Sequence, residues 1–223
     1  MNPSAEPFSD VTRTPPVRGF IHRVERPGGR GLVLTHGAGS NCRTPLLVAM
    51  AEAFADAGIT VLRCDLPFRQ DRAFGPPRPG DAKHDREGLQ NAIACLLGER
   101  VGDAFLGGHS YGGRQATMLC AEHPDLVSGL LLQSYPLHPP GRPEQLRVQH
   151  FPNLRLPALF VQGTRDPFGS VGEMESALKL IPAKTQLLIV EGAGHDLGFK
   201  GKSARKDLPS KVAAAFEALF AGD

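Results

Sequence analysis

Gly107-Gly108-His109-Ser110-Tyr111-Gly112-Gly113 is the stretch on which the reading of this chain turns. A short apolar run, residues 104–106, leads into it, and a helical pattern continues from it to residue 122. The order is strand, tight turn, helix. A serine held on such a turn adopts a strained backbone, and small residues two positions before and after it, here Gly108 and Gly112, leave room for the turn and let the helix lie close on the strand. The Ser110 side chain is thereby pushed out at the C-terminal edge of the strand, facing any ligand. In a chain with 26 glycines the five-residue pattern arises easily by chance, so its place between strand and helix carries the weight.

A serine works as a nucleophile only beside a base that takes its proton and a group that orients the base. Both are found downstream. Residues 156–161 read as a buried strand that ends in Gly163-Thr164-Arg165-Asp166-Pro167, which puts Asp166 on the loop beyond it. Residues 186–190 read as the next strand and end in Glu191-Gly192-Ala193-Gly194-His195-Asp196, which puts His195 on the following loop. Upstream, the apolar strand at residues 31–35 runs into His36-Gly37-Ala38-Gly39-Ser40.

Taken together these motifs resemble the α/β-hydrolases: a nucleophile elbow of G-x-S-x-G type, an HG-type loop, and the chain order Ser110, Asp166, His195, each after a strand. The resemblance covers roughly residues 18–220 and implies Ser110 as nucleophile, His195 as base and Asp166 as the acid that orients it. It also implies an oxyanion hole formed by the amides of Ala38 and Tyr111, with Gly37 as the alternative upstream donor. The further combination of Asp65-Leu66-Pro67-Phe68-Arg69 with Gly163-Thr164-Arg165-Asp166-Pro167-Phe168 is similar to a small lid-less group allied to the dienelactone hydrolases. Dienelactone hydrolases proper use a cysteine nucleophile. The serine here departs from them, so their lactone substrate does not carry over.

The implied fold is an α/β-hydrolase fold, a mostly parallel sheet of about seven strands with helices on both faces and no large cap domain. Residues 1–17, rich in Pro, Ser and acidic side chains without apolar period, are expected to form a loose arm, and 18–223 a single domain. Residues 18–25 read as an edge-like first strand, Pro27-Gly28-Gly29 as the turn after it, and 59–64 as another buried strand. Helices are expected over residues 45–57, 84–97, 111–122, 171–180 and 208–220. Only residues 134–155 separate the strand at 128–133 from the next, and they hold at most one helix, around 143–150, too little for a cap. His138 and His150 in that segment read as surface residues.

The Pro-rich loop after the strand at 59–64 leaves the same edge as Ser110 and is expected to border the pocket. Phe68, Arg69 and Arg72 are therefore candidate substrate-binding residues, the arginines for an anionic group. Asp65 precedes the nucleophile, breaks the family's order, and reads as a turn or salt-bridge residue.

With 25 basic and 23 acidic residues the net charge is +2, so no global field favours nucleic acid or a membrane surface. The basic residues Lys200, Lys202, Arg205 and Lys206 read as a solvated loop without an aromatic stacking platform. Cys42, Cys64, Cys95 and Cys120 are widely spaced and read as buried reduced thiols. No apolar run is as long as a membrane span and no signal-peptide pattern opens the chain, which favours a cytoplasmic protein, monomer or homodimer. No metal-ligand cluster or G-x-G-x-x-G is present, and no cofactor is expected. The expected function is hydrolysis of small carboxylic esters or thioesters. The alternative is a scaffold or binding module that keeps the fold without turnover.

Overall fold

The computed structural model describes residues 5–24, 29–199 and 205–221. Most of the turn expected at residues 27–29, and Lys200 and Lys202 of the basic run, lie outside these. Strands β1 (Glu6–Asp10), β2 (Val17–His22), β3 (Arg30–Thr35), β4 (Thr60–Cys64), β5 (Asp103–His109), β6 (Gly129–Gln133), β7 (Ala158–Gly163) and β8 (Thr185–Val190) form one sheet. Its order is β1-β2-β4-β3-β5-β6-β7-β8. The β1–β2 and β2–β4 pairings are antiparallel and all others parallel. The helices are α1 (Pro45–Asp56), α2 (Pro67–Asp71), α3 (Asp81–Gly98), α4 (Tyr111–Glu122), α5 (Val171–Leu178) and α6 (Leu208–Phe220).

The parallel strands are apolar on both sides because helices cover both. Along β3, Leu32 and Leu34 face the core beneath α1 and α6, while Val33 faces the core beneath α3, α4 and α5. Phe216 of α6 wedges edge-on between Phe54 and Phe105, with ring centroids 5.1 and 4.9 Å away. A fully buried side chain of this kind contributes about 1.5–3 kcal/mol through burial alone. From β3 the chain passes to β4 on one side and later returns to β5 on the other. The loops leaving β3 and β5 therefore part at their C-terminal ends, which is where open α/β sheets hold ligands.

The sheet has eight strands rather than about seven. The eighth is β1, which lies within the stretch expected to be a loose arm. It carries no apolar alternation because it is a solvent-exposed edge, held by backbone pairing to β2, with Phe8 packed against the core. The strand at 17–22 is consequently an inner one. A Pro in a strand is tolerated on such an edge, which is where Pro7 sits. Inside the Pro-rich loop, α2 gives five residues of helix that a period of 3.6 is too long to reveal.

No helix forms at 143–150; a 3-10 turn, Phe151–Asn153, follows instead. His138 is buried and His150 half-buried, so neither is a surface residue as expected. His138 Nδ1 bonds the Pro139 carbonyl, while His150 Nε2 meets Thr117 Oγ1 on α4 at 2.8 Å. Burial and the Arg114 charge push His150 down to about 4. An unfolded histidine protonates near 6.5, so between about 6.5 and 4 the unfolded chain binds the extra proton and the folded one does not. His150 therefore contributes stability above that window and loses it as pH falls through it. Urea midpoints at pH 7 and pH 4.5 should differ less for His150→Gln than for the wild type.

All four cysteines are buried and free. No helix of the described residues is long and apolar enough to cross a membrane.

Candidate active site

Ser110 joins β5 to α4 with φ 52° and ψ −117°, a region that costs a non-glycine residue about 1–3 kcal/mol. The surroundings hold it there. Its N–H donates to the Gln133 carbonyl at 2.8 Å, and the Gly112 N–H donates to the His36 carbonyl at 3.1 Å. The flanking glycines are required by contact: a Cβ on Gly108 would lie 2.5 Å from the Gly113 nitrogen, and one on Gly112 would lie 2.6 Å from the His36 oxygen.

The structure brings Ser110, His195 and Asp166 into one hydrogen-bonded chain. His195 Nε2 is 2.8 Å from Ser110 Oγ, and Nδ1 is 3.0 and 2.9 Å from the two oxygens of Asp166. A carboxylate accepts, so Nδ1 carries the hydrogen and Nε2 offers its lone pair to the serine hydroxyl. The Asp166 carboxylate is wholly buried and also accepts the Phe168 N–H at 2.9 Å. Phe168 lies against the His195 ring, with centroids 4.2 Å apart. The loops after β7 and β8 are stitched together by Arg165 N–H to the Ala193 carbonyl at 2.9 Å and Gly192 N–H to Thr164 Oγ1 at 2.8 Å. His109, next to the serine, bonds the His195 carbonyl through Nε2 at 2.7 Å.

The loop after β3 passes over Ser110; a Cβ on Gly37 would stand 3.3 Å from Ser110 Cβ. The Gly37 carbonyl accepts from His36 Nδ1 at 2.9 Å, Ser40 N at 3.1 Å and Ser40 Oγ at 3.2 Å. Because a trans peptide sets the next N–H opposite its carbonyl, these bonds fix where the Ala38 amide points. His36 Nε2 accepts the Leu66 N–H at 3.1 Å, so this buried ring is neutral with its hydrogen on Nδ1, and burial holds its pKa down. Its approach to Asp65, 3.5 Å, is thus no charge pair. Asp65 accepts the Cys42 N–H at 2.7 Å and holds the turn into α1.

A cavity of about 340 Å³ opens beside Ser110, walled by Gly37, Ala38, Thr44, Leu46, Phe168 and Phe199 among others. The walls at Thr44, Leu46, Phe168 and Phe199 were not singled out from sequence. Leu46 lies on α1, and the others come from separate loops whose meeting has no sequence signal. Phe68, Arg69 and Arg72 are not among the cavity's walls. Phe68 is buried between His36 and Tyr111, Arg69 is turned onto backbone carbonyls, and Arg72 pairs with Asp81 at 2.8 Å. Phe68 and Arg69 thus contact the loop after β3, through the His36 ring and the Ser40 and Ala38 carbonyls, while Arg72 is held by Asp81 and the Pro76 carbonyl.

A mostly parallel sheet carrying a strained serine after its fifth strand defines the α/β-hydrolase class. A family model described as "Alpha/beta hydrolase domain" matches residues 29–220, and the chain belongs to that family. Over 84 residues, 35% of this chain, it is 36% identical to a pyrethroid hydrolase of Sphingobium wenxiniae, and the match spans 30% of that relative's length. Among solved structures, the dienelactone hydrolase of Anabaena variabilis superposes with a TM-score of 0.75 at 21% identity, covering 99% of this chain and 98% of that one. Est1E of Butyrivibrio proteoclasticus does so with a TM-score of 0.73 at 15% identity, covering 98% and 99%. At these identities the likeness is one of fold, and the fold is dienelactone-hydrolase-like.

Proposed function

We propose that this chain is a serine hydrolase that cleaves small carboxylic esters or thioesters through an acyl-enzyme, with Ser110, His195 and Asp166 as its catalytic triad. The observation that carries this is the unbroken hydrogen-bonded chain from Ser110 Oγ through His195 to the buried Asp166. Ser110 Oγ attacks the carbonyl carbon as His195 Nε2 takes its proton, and Asp166 stabilises the imidazolium. The amides of Ala38 and Tyr111 hold the oxyanion; Tyr111 opens α4, where a helix N–H has no partner within the helix. Collapse breaks the bond to the alkoxide or thiolate, which leaves with the proton from His195. Water then repeats the sequence on the acyl-serine.

The test is labelling by a fluorophosphonate together with hydrolysis of p-nitrophenyl acetate. A native protein that does neither is the scaffold module instead.

The cavity sits at the small end of the range for ligand pockets, about 300–1,000 Å³. A methylene contributes about 0.8 kcal/mol only where a wall receives it, and the segment after β6 folds onto α4 through His150 and Thr117. Across p-nitrophenyl esters, kcat/KM should therefore peak at acyl chains of roughly two to six carbons and fall beyond. A maximum at about ten carbons, or a jump in rate at the solubility limit, would contradict a shallow site.

A further inference from the structure

Arg69 is 7% exposed, and its guanidinium is spent on backbone. Nε donates to the Ser40 carbonyl at 2.8 Å, Nη2 to those of Ala38 at 3.0 Å and Gly75 at 2.8 Å, and Nη1 to that of Arg72 at 3.0 Å. A buried guanidinium is tolerated only when its N–H groups find partners. Here two of the four acceptors belong to the loop that carries Ala38. With the Gly37 carbonyl held by His36 and Ser40, and the Ala38 carbonyl held by Arg69, both ends of Ala38 are fixed and its N–H has one direction.

The side chain of Tyr111, the residue that carries the second amide, is held from the same side. Asp85, wholly buried on α3, accepts the Phe68 N–H at 3.0 Å through one oxygen and the Tyr111 hydroxyl at 2.8 Å through the other. The Phe68 ring stands 5.6 Å from the ring of His36, 5.7 Å from that of Tyr111 and 4.9 Å from the Arg69 guanidinium. The helix α2 is thus tied to the Ala38 carbonyl through Arg69, and to the Tyr111 side chain through the Phe68 ring and, by way of Asp85 on α3, its hydroxyl.

We propose that Arg69 and Asp85 are positioning residues for the oxyanion-holding amides of Ala38 and Tyr111, a role that rests on the serine-hydrolase reading above. Oxyanion donors act only when placed about 2.7–3.1 Å from where the negative oxygen forms. Loosening them weakens the transition state more than the bound ester, so the loss falls on kcat rather than KM. This role replaces the charge contact with substrate expected of Arg69 from sequence.

The experiment compares wild type, Arg69→Met, Arg69→Lys and Asp85→Ala on neutral p-nitrophenyl acetate and anionic p-nitrophenyl hemisuccinate. Expected is a fall in kcat of about 10- to 100-fold for Arg69→Met on both esters, with KM within about threefold. Partial recovery is expected in Arg69→Lys, and a smaller loss of the same kind in Asp85→Ala. Affinity for a boronic acid, which mimics the tetrahedral adduct, should fall in parallel. Hydrogen exchange over residues 36–42 should quicken in Arg69→Met while that of β5 is unchanged. A rise in KM confined to the anionic ester would make Arg69 a substrate contact and overturn the proposal. So would kcat within about twofold of wild type in a folded Arg69 variant. If Arg69→Met does not fold, Arg69→Lys decides by the same criteria. Failure of the wild type itself to label or hydrolyse would instead remove the serine-hydrolase reading, whereas an active, labelled wild type with unaltered variants removes only this proposal.

Discussion

Ser110→Ala is expected to yield a folded protein that takes up no fluorophosphonate and loses roughly five to six orders of magnitude in kcat toward p-nitrophenyl acetate. The residue left over is what oxyanion binding and orientation supply without a nucleophile. The variant also reports on strain. Alanine keeps the Cβ and so retains the cost of φ 52° and ψ −117°, whereas glycine relieves it. Relief of about 1–3 kcal/mol exceeds the roughly 0.4–1 kcal/mol that glycine loses through the more flexible unfolded chain. Ser110→Gly should thus be equally inactive yet unfold at higher urea than Ser110→Ala. Full activity in either variant would remove the nucleophile assignment. Equal midpoints would mean that the turn is not strained.

The parts of the molecule that were legible from sequence are those fixed by local chemistry. The β5–turn–α4 unit announces itself because an apolar run, two obligatory glycines and a helical period follow one another within twenty residues. The loops carrying Asp166 and His195 follow strands whose apolar runs are equally plain, and the structure brings their side chains to Ser110. What stayed hidden depends on partners far apart in the chain. The strand β1 has one exposed face and a proline, so nothing but its pairing with β2 makes it a strand. The role of Arg69 needs carbonyls from two separate loops. In isolation, an arginine in a Pro-rich stretch has the composition of a solvated loop, and only the α2 turn buries it. His138 and His150 were misplaced for the same reason, since the segment holding them has no period and is buried by contact with α4 and with the loop before α5.

Asp166→Asn should lower kcat by about ten-thousandfold, while Asp65→Asn should cost less than about tenfold. The difference follows from what each carboxylate accepts. Asp166 takes the His195 Nδ1 hydrogen on both oxygens and the Phe168 N–H on one. Asparagine has one acceptor and one donor group there. If its oxygen keeps the Phe168 N–H, that oxygen stays 3.0 Å from Nδ1 while the NH₂ takes the place 2.9 Å away and competes as a donor, favouring the tautomer with hydrogen on Nε2, which cannot take the serine proton. The side chain is fully buried, so water cannot substitute for the acceptor that becomes a donor. Asp65 makes its bond to the Cys42 N–H with a single oxygen, which an asparagine oxygen reproduces, and the neutral His36 beside it asks for no charge. Measuring kcat for both variants on one short ester, with circular dichroism to confirm folding, separates the two aspartates. If Asp65→Asn proves the more damaging, the acid has been assigned to the wrong strand and His195 must be oriented from the β4 side.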